Sequence, residues 1–500
     1  MLALTCAMSP GIRAQSPTIS TEVIGQLFPA DVSMTPLPGP PEHWRIHKGN
    51  TGPALGHAVQ TINVAPIPAY SGKAINALVG VDSEGIIKGV RILQHSEPIL
   101  AVGLSDAEID RFTAQYAGLK AGEDIRIGGR EEPGRPVIDG LSGATITAMV
   151  INRSVVKTAT AMARLHPAAE QTPSPLAMSA NIETPLWKEH WSARMPEIVI
   201  LSMGLLVLIL ILLFQDWLAR HPRWLLQLRL GYLLFTLVFI GLYTSAQLSV
   251  VNLLTFVQSL LHGFRWDSYL IDPALFLLWS FTAITVLLWG RGVYCGWLCP
   301  FGALQELLFR LARRLGIPEW EPPAMVHERL LALKYLVWLG LFALSLQWFR
   351  EAARLAEIEP FKTVFALRMD RAWPFVAYVL ILLFLGLLLR KAYCRYLCPL
   401  GAALTFPSRF RVFDWLRRRK ECGRPCQTCF RECEVRAIKP TGEIVDSECH
   451  YCLDCQVTYW NSAKCPPLAD KKRRALKHAK SRAKRETDSK ERPGEPPETA

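Results

Sequence analysis

Five stretches of this chain, residues 198–214, 231–248, 273–288, 330–348 and 373–389, are apolar and nearly free of charge. The hydrocarbon core of a bilayer is about 30 Å thick, and a helix needs roughly eighteen apolar residues to cross it. Each stretch approaches that length. The alternative, a buried helix in a soluble core, rarely recurs so often in one soluble domain. Half of the residues are hydrophobic and the mean hydropathy is positive, which excludes a purely soluble chain. Lys334 lies inside the fourth stretch, where it is expected to snorkel or to sit near the helix end. Residues 196–415 therefore read as an α-helical membrane domain of about five spans.

Basic loops are retained in the cytoplasm. Arg220, Arg223 and Arg229 lie between the first two stretches, Arg310, Arg313, Arg314 and Arg329 between the third and fourth, and Arg390, Lys391, Arg395, Arg417, Arg418, Arg419 and Lys420 after the fifth. A five-span arrangement puts all three groups on one side. The segments 249–272 and 349–372 are poorer in net positive charge. The C-terminal end is thus expected in the cytoplasm, and everything before residue 196 outside. Residues 1–16 look like the tail of a truncated secretory signal without its basic region, and residues 166–195 form a Pro-rich linker.

Eight of the thirteen cysteines gather near the C-terminal end, at Cys422, Cys426, Cys429, Cys433, Cys449, Cys452, Cys455 and Cys465. In two-cluster bacterial ferredoxins three cysteines of a run hold one 4Fe-4S cluster and the fourth crosses to the other. On that rule Cys422, Cys426 and Cys429 share a cluster with Cys465, while Cys449, Cys452 and Cys455 share one with Cys433. Two departures stand out: the first run opens with a three-residue gap, and Glu434 follows Cys433 where a proline is usual. A zinc ribbon, with four ligands per metal, is one alternative; structural disulfides, disfavoured in the cytoplasm, are another. Residues 416–468 are expected to form a two-cluster ferredoxin-like domain.

The membrane part carries an internal repeat. Tyr294-Cys295-Gly296-Trp297-Leu298-Cys299-Pro300-Phe301-Gly302-Ala303 matches Tyr393-Cys394-Arg395-Tyr396-Leu397-Cys398-Pro399-Leu400-Gly401-Ala402, each copy directly after a span. Cysteines four apart share one side of a helical turn, and the following proline can end that turn. Cys295, Cys299, Cys394 and Cys398 can together close an additional centre, a 2Fe-2S or 4Fe-4S cluster or another metal such as zinc. Plain burial of apolar cysteines is the simpler alternative, against which the repetition argues.

Residues 51–165 read as an exported α/β domain, with strand-like runs at 74–81 and 86–93 across a turn at 82–85, and helical spacing at 105–117. Asp139-Gly140-Leu141-Ser142-Gly143-Ala144-Thr145 is a turn of small residues opening into a helix expected from about Thr147, a start that favours phosphate. Ser-Gly-Ala-Thr also occurs as an ordinary helix N-cap. The segment resembles the site at which a flavin transferase links FMN through its phosphate to a threonine hydroxyl in exported FMN-binding domains. That resemblance implies covalent FMN on Thr145, with Asp139, Ser142, Gly143 and Ala144 as the recognition segment.

An exported flavin-type domain, five spans, a duplicated CxxxCP and a terminal two-cluster ferredoxin together resemble the NosR/NirI family, accessory membrane proteins of denitrification. The resemblance extends to His95-Ser96-Glu97-Pro98-Ile99-Leu100, and to the ending from Glu448-Cys449-His450-Tyr451-Cys452 through Cys465-Pro466-Pro467. It implies an electron conduit serving nitrous oxide reductase or another periplasmic reductase, drawing on the quinone pool or a cytoplasmic donor. It also implies a role in expression or maturation of that system. Full-length relatives carry a long exported insertion before the membrane core, so this chain is a short form.

The alternatives are a redox-sensing regulator and a maturation factor for a periplasmic copper or haem reductase. The chain lacks a C-x-x-C-H haem attachment site, histidines within the five stretches, and a glycine-rich nicotinamide fingerprint. It therefore reads as an electron-transfer component rather than an enzyme with its own small-molecule substrate. Flavin outside and clusters inside would leave most of the membrane unbridged, a gap that a second flavin, a quinone or closer docking has to fill. Residues 469–500 are expected to be a basic, disordered tail drawn to the anionic leaflet, which disfavours a nucleic-acid partner.

Overall fold

The computed structural model describes residues 21–490 apart from the internal positions 29–30, 38, 50–51, 70–72, 96, 98–105, 128–134, 142–144, 166–185, 263 and 265. Two compact units divide the chain, Met1–Thr184 with Phe264–Ser268, and Pro185–Gly263 with Tyr269–Ala500.

The first unit is built on an antiparallel five-stranded meander, β1 Val32–Leu37, β2 His43–Lys48, β3 Ala54–Gln60, β4 Asn76–Asp82 and β5 Ile87–Gln94, ordered as in the chain. The sheet thus takes in two strands upstream of residue 51. Their patterning is weak because Pro36, His43 and His47 interrupt any apolar alternation. The hairpin β4–β5 matches the strand-like runs, with Val79 opposite Val90 across the Asp82–Gly85 turn. One face packs against the helix Thr145–Leu165, whose Ala148, Ile151, Val155, Ala159 and Met162 are buried at helical spacing. The other face holds Ile24, Leu27, Phe28 and Ile46. Each such aliphatic or aromatic side chain contributes about 1.5–3 kcal/mol by leaving water.

In the second unit all five apolar stretches are helical. Met195–Leu213, Pro222–Tyr243 and Ala324–Gln347 have 19, 22 and 24 residues and are long and apolar enough to cross a membrane. Pro273–Leu288 and Trp373–Leu388 have 16 residues each, about 24 Å at the helical rise. Exposed Met203, Leu206 and Leu210 on the first helix, and Leu380, Ile381 and Phe384 on the last, leave these helices apolar on their outer as well as inner faces, as lipid contact requires. The segment 249–272, expected as a loop, contains a further helix, Val250–His262, capped from far away in sequence by Glu359, whose carboxylate accepts from the Val250 amide.

Two expectations are corrected. Lys334 neither snorkels nor ends its helix; it is fully buried and pairs with Glu448. Residues 469–490 are not a disordered tail but most of an exposed helix, Pro466–Lys490, since its Lys, Arg, Ala and Glu residues are good helix formers. His327 lies at the start of the helix Ala324–Gln347, bonded to the Tyr396 hydroxyl at 2.9 Å.

Candidate functional site

In the first unit, Ser142, Gly143 and Ala144 lie outside the described residues. Thr145 is the first residue of the 21-residue helix Thr145–Leu165, two positions ahead of the expected start. A helix N-terminus of that length carries free amides and partial positive charge, suited to a phosphate group. The described residues on either side of 142–144 are held by hydrogen bonds. The Asp139 amide donates to Gln115 Oε1 at 2.7 Å, and Gln115 Nε2 donates back to the Asp139 carbonyl at 3.2 Å. Beyond the turn, Thr147 Oγ1 donates to Glu97 Oε2 at 3.1 Å, both residues being buried. Asp139 itself is exposed. Gln115 carries no sequence signal for this task, because its partner is a backbone 24 residues away.

In the second unit, Cys422, Cys426, Cys429 and Cys465 line one cavity together with Arg418 and Tyr459. Cys433, Cys449, Cys452 and Cys455 line a second, which Cys429 also touches. The chain turns around this second cavity through left-handed backbone at Tyr451 and Leu453. Backbone amides point at the sulfurs: Ala437 N to Cys433 at 3.3 Å and Tyr451 N to Cys449 at 3.4 Å. Burial pushes the Cys449 thiol up to about 12 and that of Cys455 to about 11. Thiolates there need metal cations, as cluster ligation would supply.

Tetrahedral zinc with bonds of about 2.3 Å holds its sulfurs about 3.8 Å apart. Among the described residues, the only three metal-ligating side chains whose ligand atoms all lie within 4.8 Å of one another are Glu434, Cys452 and Asp454. Cys452 is thus the one cysteine found in so tight a group among the described residues. Glu434, standing where proline is usual, belongs to this group and is half-buried, 3.9 Å from Arg229.

The CxxxCP repeats show why the second cysteine of each precedes a proline. Cys299 and Cys398 are helix N-caps with extended backbone, Pro300 and Pro399 occupy the first helical turn, and each sulfur accepts from the glycine amide three residues on, Gly302 N at 3.4 Å and Gly401 N at 3.3 Å. Proline costs nothing there because its missing N–H has no intrahelical partner. Cys394 Sγ donates to Gln305 Oε1 at 3.2 Å. Cys299, Cys394 and Cys398 are buried, and all four thiols interact electrostatically with one another. Burial raises Cys394 to about 12, against the opposing pull of Lys391 and Arg291.

The first repeat also packs directly on the second ferredoxin cavity. Trp297 Nε1 donates to the Tyr451 carbonyl at 3.0 Å. A Cβ at Gly296 would lie 1.8 Å from the His450 carbonyl oxygen, and one at Gly292 would lie 2.6 Å from that of Cys449, so only glycine permits this approach.

An ion network fixes the contact from the other side. Arg229 holds Glu306 through two bonds of 2.8 and 2.7 Å, Lys391 and Arg310 reach the same carboxylate at 2.9 and 2.7 Å, and Arg229 Nη1 donates to the Cys452 carbonyl at 3.2 Å. Burial alone would raise Glu306, but Arg229 and Lys391 hold it well below the usual carboxylate range. Nothing local in the sequence points to this network, whose Arg229 and Glu306 are 77 residues apart.

Comparison with known proteins agrees with this division. A family profile described as "FMN-binding domain" matches residues 70–160, one described as "4Fe-4S binding domain" matches 271–318 and 371–421, covering both CxxxCP repeats, and one described as "NosR" matches 420–476. The "Regulatory protein NosR" of Pseudomonas aeruginosa is 35% identical, with 91% of this chain and 93% of that protein aligned. That of Stutzerimonas stutzeri is 33% identical over 96% of this chain and 94% of its own. "Protein NirI" of Paracoccus denitrificans is 48% identical over 61% of this chain and 44% of its own. The Pseudomonas aeruginosa alignment runs over 667 positions, more than this chain's 500 residues, so the relative carries a long stretch missing here.

A flavin-binding domain, membrane helices and 4Fe-4S domains in one chain define a multidomain membrane flavo-iron-sulfur protein. Within that class, the chain belongs to the NosR/NirI family.

Proposed function

We propose that the chain is an inner-membrane electron carrier that passes electrons between the cytoplasmic or membrane side and a periplasmic FMN, in support of nitrous oxide reductase or another periplasmic reductase. The observation that carries this reading is the packing of the first CxxxCP turn against the Cys449–Cys452 loop, Trp297 to Tyr451 at 3.0 Å, which brings a membrane-edge cysteine set against a ferredoxin-type one. When bound, two 4Fe-4S clusters, a third cysteine-held centre and FMN supply the one-electron chemistry.

The chain's own residues do the rest. Cys422, Cys426, Cys429 and Cys465 hold the first cluster; Cys433, Cys449, Cys452 and Cys455 hold the second. Cys295, Cys299, Cys394 and Cys398 hold the third centre. Thr145 accepts FMN from a flavin transferase at the start of its helix, with Asp139 held by Gln115 and Thr147 by Glu97 on either side. The quinone pool or a cytoplasmic donor supplies electrons.

A second reading, a redox-sensing regulator, is favoured by the name that the Pseudomonas aeruginosa and Stutzerimonas stutzeri relatives carry, "Regulatory protein NosR". The test is to reduce the purified, flavin-loaded chain and mix it with nitrous oxide reductase and nitrous oxide. Oxidation of the chain with matching loss of nitrous oxide supports the carrier. A chain that stays reduced beside an active reductase supports the regulator.

A further inference from the structure

One buried side chain meets both CxxxCP repeats and the second ferredoxin loop. Arg291 is fully buried and stands four residues before Cys295. Its Nη1 donates to the Gly401 carbonyl at 2.9 Å, three residues past Cys398, and its Nη2 donates to Glu448 Oε2 at 3.3 Å, beside Cys449. Its Nε has no hydrogen-bond partner. Burial works against the guanidinium charge, but Cys295, Glu448, Tyr335 and Cys398 face it and outweigh that penalty.

Glu448 does not account for this charge alone. The same carboxylate also takes buried Lys334 and accepts from the Tyr335 hydroxyl at 2.7 Å. Two buried cations therefore meet one carboxylate. An uncompensated buried charge is strongly destabilising, and neutral thiols do not relieve it. Thiolates of a net-negative cluster do. A fixed cation in a low-dielectric interior stabilises added electrons on any centre near it, and cluster potentials respond to local charge and hydrogen bonding. The first cavity is lined by Arg418 instead.

Resting on the reading of these cysteines as cluster ligands, we propose that Arg291 is a positioning residue that ties together the reduction potentials of the CxxxCP centre and of the centre held by Cys433, Cys449, Cys452 and Cys455. It raises both and leaves the centre of Cys422, Cys426, Cys429 and Cys465 alone. One electron exchanged between the two linked centres oxidises one and reduces the other, with no bond made or broken.

The test uses the full chain, purified in detergent with its clusters rebuilt anaerobically, and follows each centre by EPR-monitored redox titration alongside iron content. Arg291→Met is expected to shift two of three centres to more negative potential, and Arg291→Lys to restore most of the shift. Unchanged potentials at full iron content, or an equal shift of all three centres, overturn the proposal. Should Arg291→Met fail to fold, Glu448→Gln is expected to move the same two centres to more positive potential, and the absence of that opposite shift overturns it equally. Wild-type protein with iron for only two centres refutes the underlying reading of the CxxxCP cysteines, an outcome visible before any variant is titrated.

Discussion

Gly296 sits where two backbones meet, with the space for its Cβ filled by the His450 carbonyl oxygen. A side chain facing main chain cannot escape by changing rotamer, so Gly296→Ala is expected to cost about 1–3 kcal/mol by overpacking. Iron should be lost first from the Cys433, Cys449, Cys452 and Cys455 site, read by iron content and EPR after mild heating. Glu359 gives a second residue-level prediction. Burial raises its carboxyl to about 8, against the opposing bonds from Ser249 and the Val250 amide. Between the ordinary 4.5 and about 8 the folded chain holds a proton that the unfolded chain releases, so stability falls as pH rises across that window. Thermal melts in detergent should show this slope, and Glu359→Gln should flatten it. The grouping of the cysteines around two cavities was legible because each cavity takes three of its four from one short run. Lys334 was not: a lysine in an apolar window signals snorkelling, and only the fold shows that Glu448, 114 residues on, receives it.

At the scale of the element, the CxxxCP motif is a helix start. The second cysteine caps, the proline fills the first turn, and the glycine amide three residues on donates to sulfur. That much follows from Cys-Pro-x-Gly in the sequence. Which other element each helix touches does not. The helix Pro300–Arg314 is clamped to Pro222–Phe235 through Arg229 and Glu306, and replacing Glu306 leaves Arg229 and Lys391 without their shared anion. Breaking a buried pair from one side costs about 3–5 kcal/mol. Glu306→Gln is therefore expected to lower the melting temperature sharply. Because Arg229 also holds the Cys452 carbonyl, Glu306→Gln should release iron from the second ferredoxin site while leaving unchanged the FMN mass proposed for Thr145. Intact mass and iron analysis of the same sample check both. In the first unit the β4–β5 hairpin was legible from its strand-like runs and the long helix from the small-residue turn before it, whereas β1 and β2, interrupted by proline and histidine, show themselves only through pairing to β3.

For the whole molecule the open quantity is how often the chain crosses the bilayer. Three helices are long enough by themselves, and three crossings or five both leave the two ends on opposite sides. The loops decide between them. With three crossings, Cys295 and Cys299 would lie on the opposite side from Cys394, Cys398 and the ferredoxin-type cysteines. Yet Trp297 bonds to Tyr451 and Arg291 to both Gly401 and Glu448 within one packed unit. Five crossings, with Pro273–Leu288 and Trp373–Leu388 included and the bilayer thinned or flanking residues snorkelling to meet them, keep those contacts on one side and are therefore the expected outcome. The charge bias agrees: with Arg229 and Lys391 set aside as partners of Glu306, Arg220, Arg223, Arg313 and Arg314 still mark one side. Alkaline phosphatase, active only outside the inner membrane, is the reporter. Fused after Glu351 it is expected to be active, and after Arg314 or Lys490 inactive. Activity after Arg314 with none after Glu351 would mean three crossings, and would separate the two CxxxCP repeats that the third centre needs side by side.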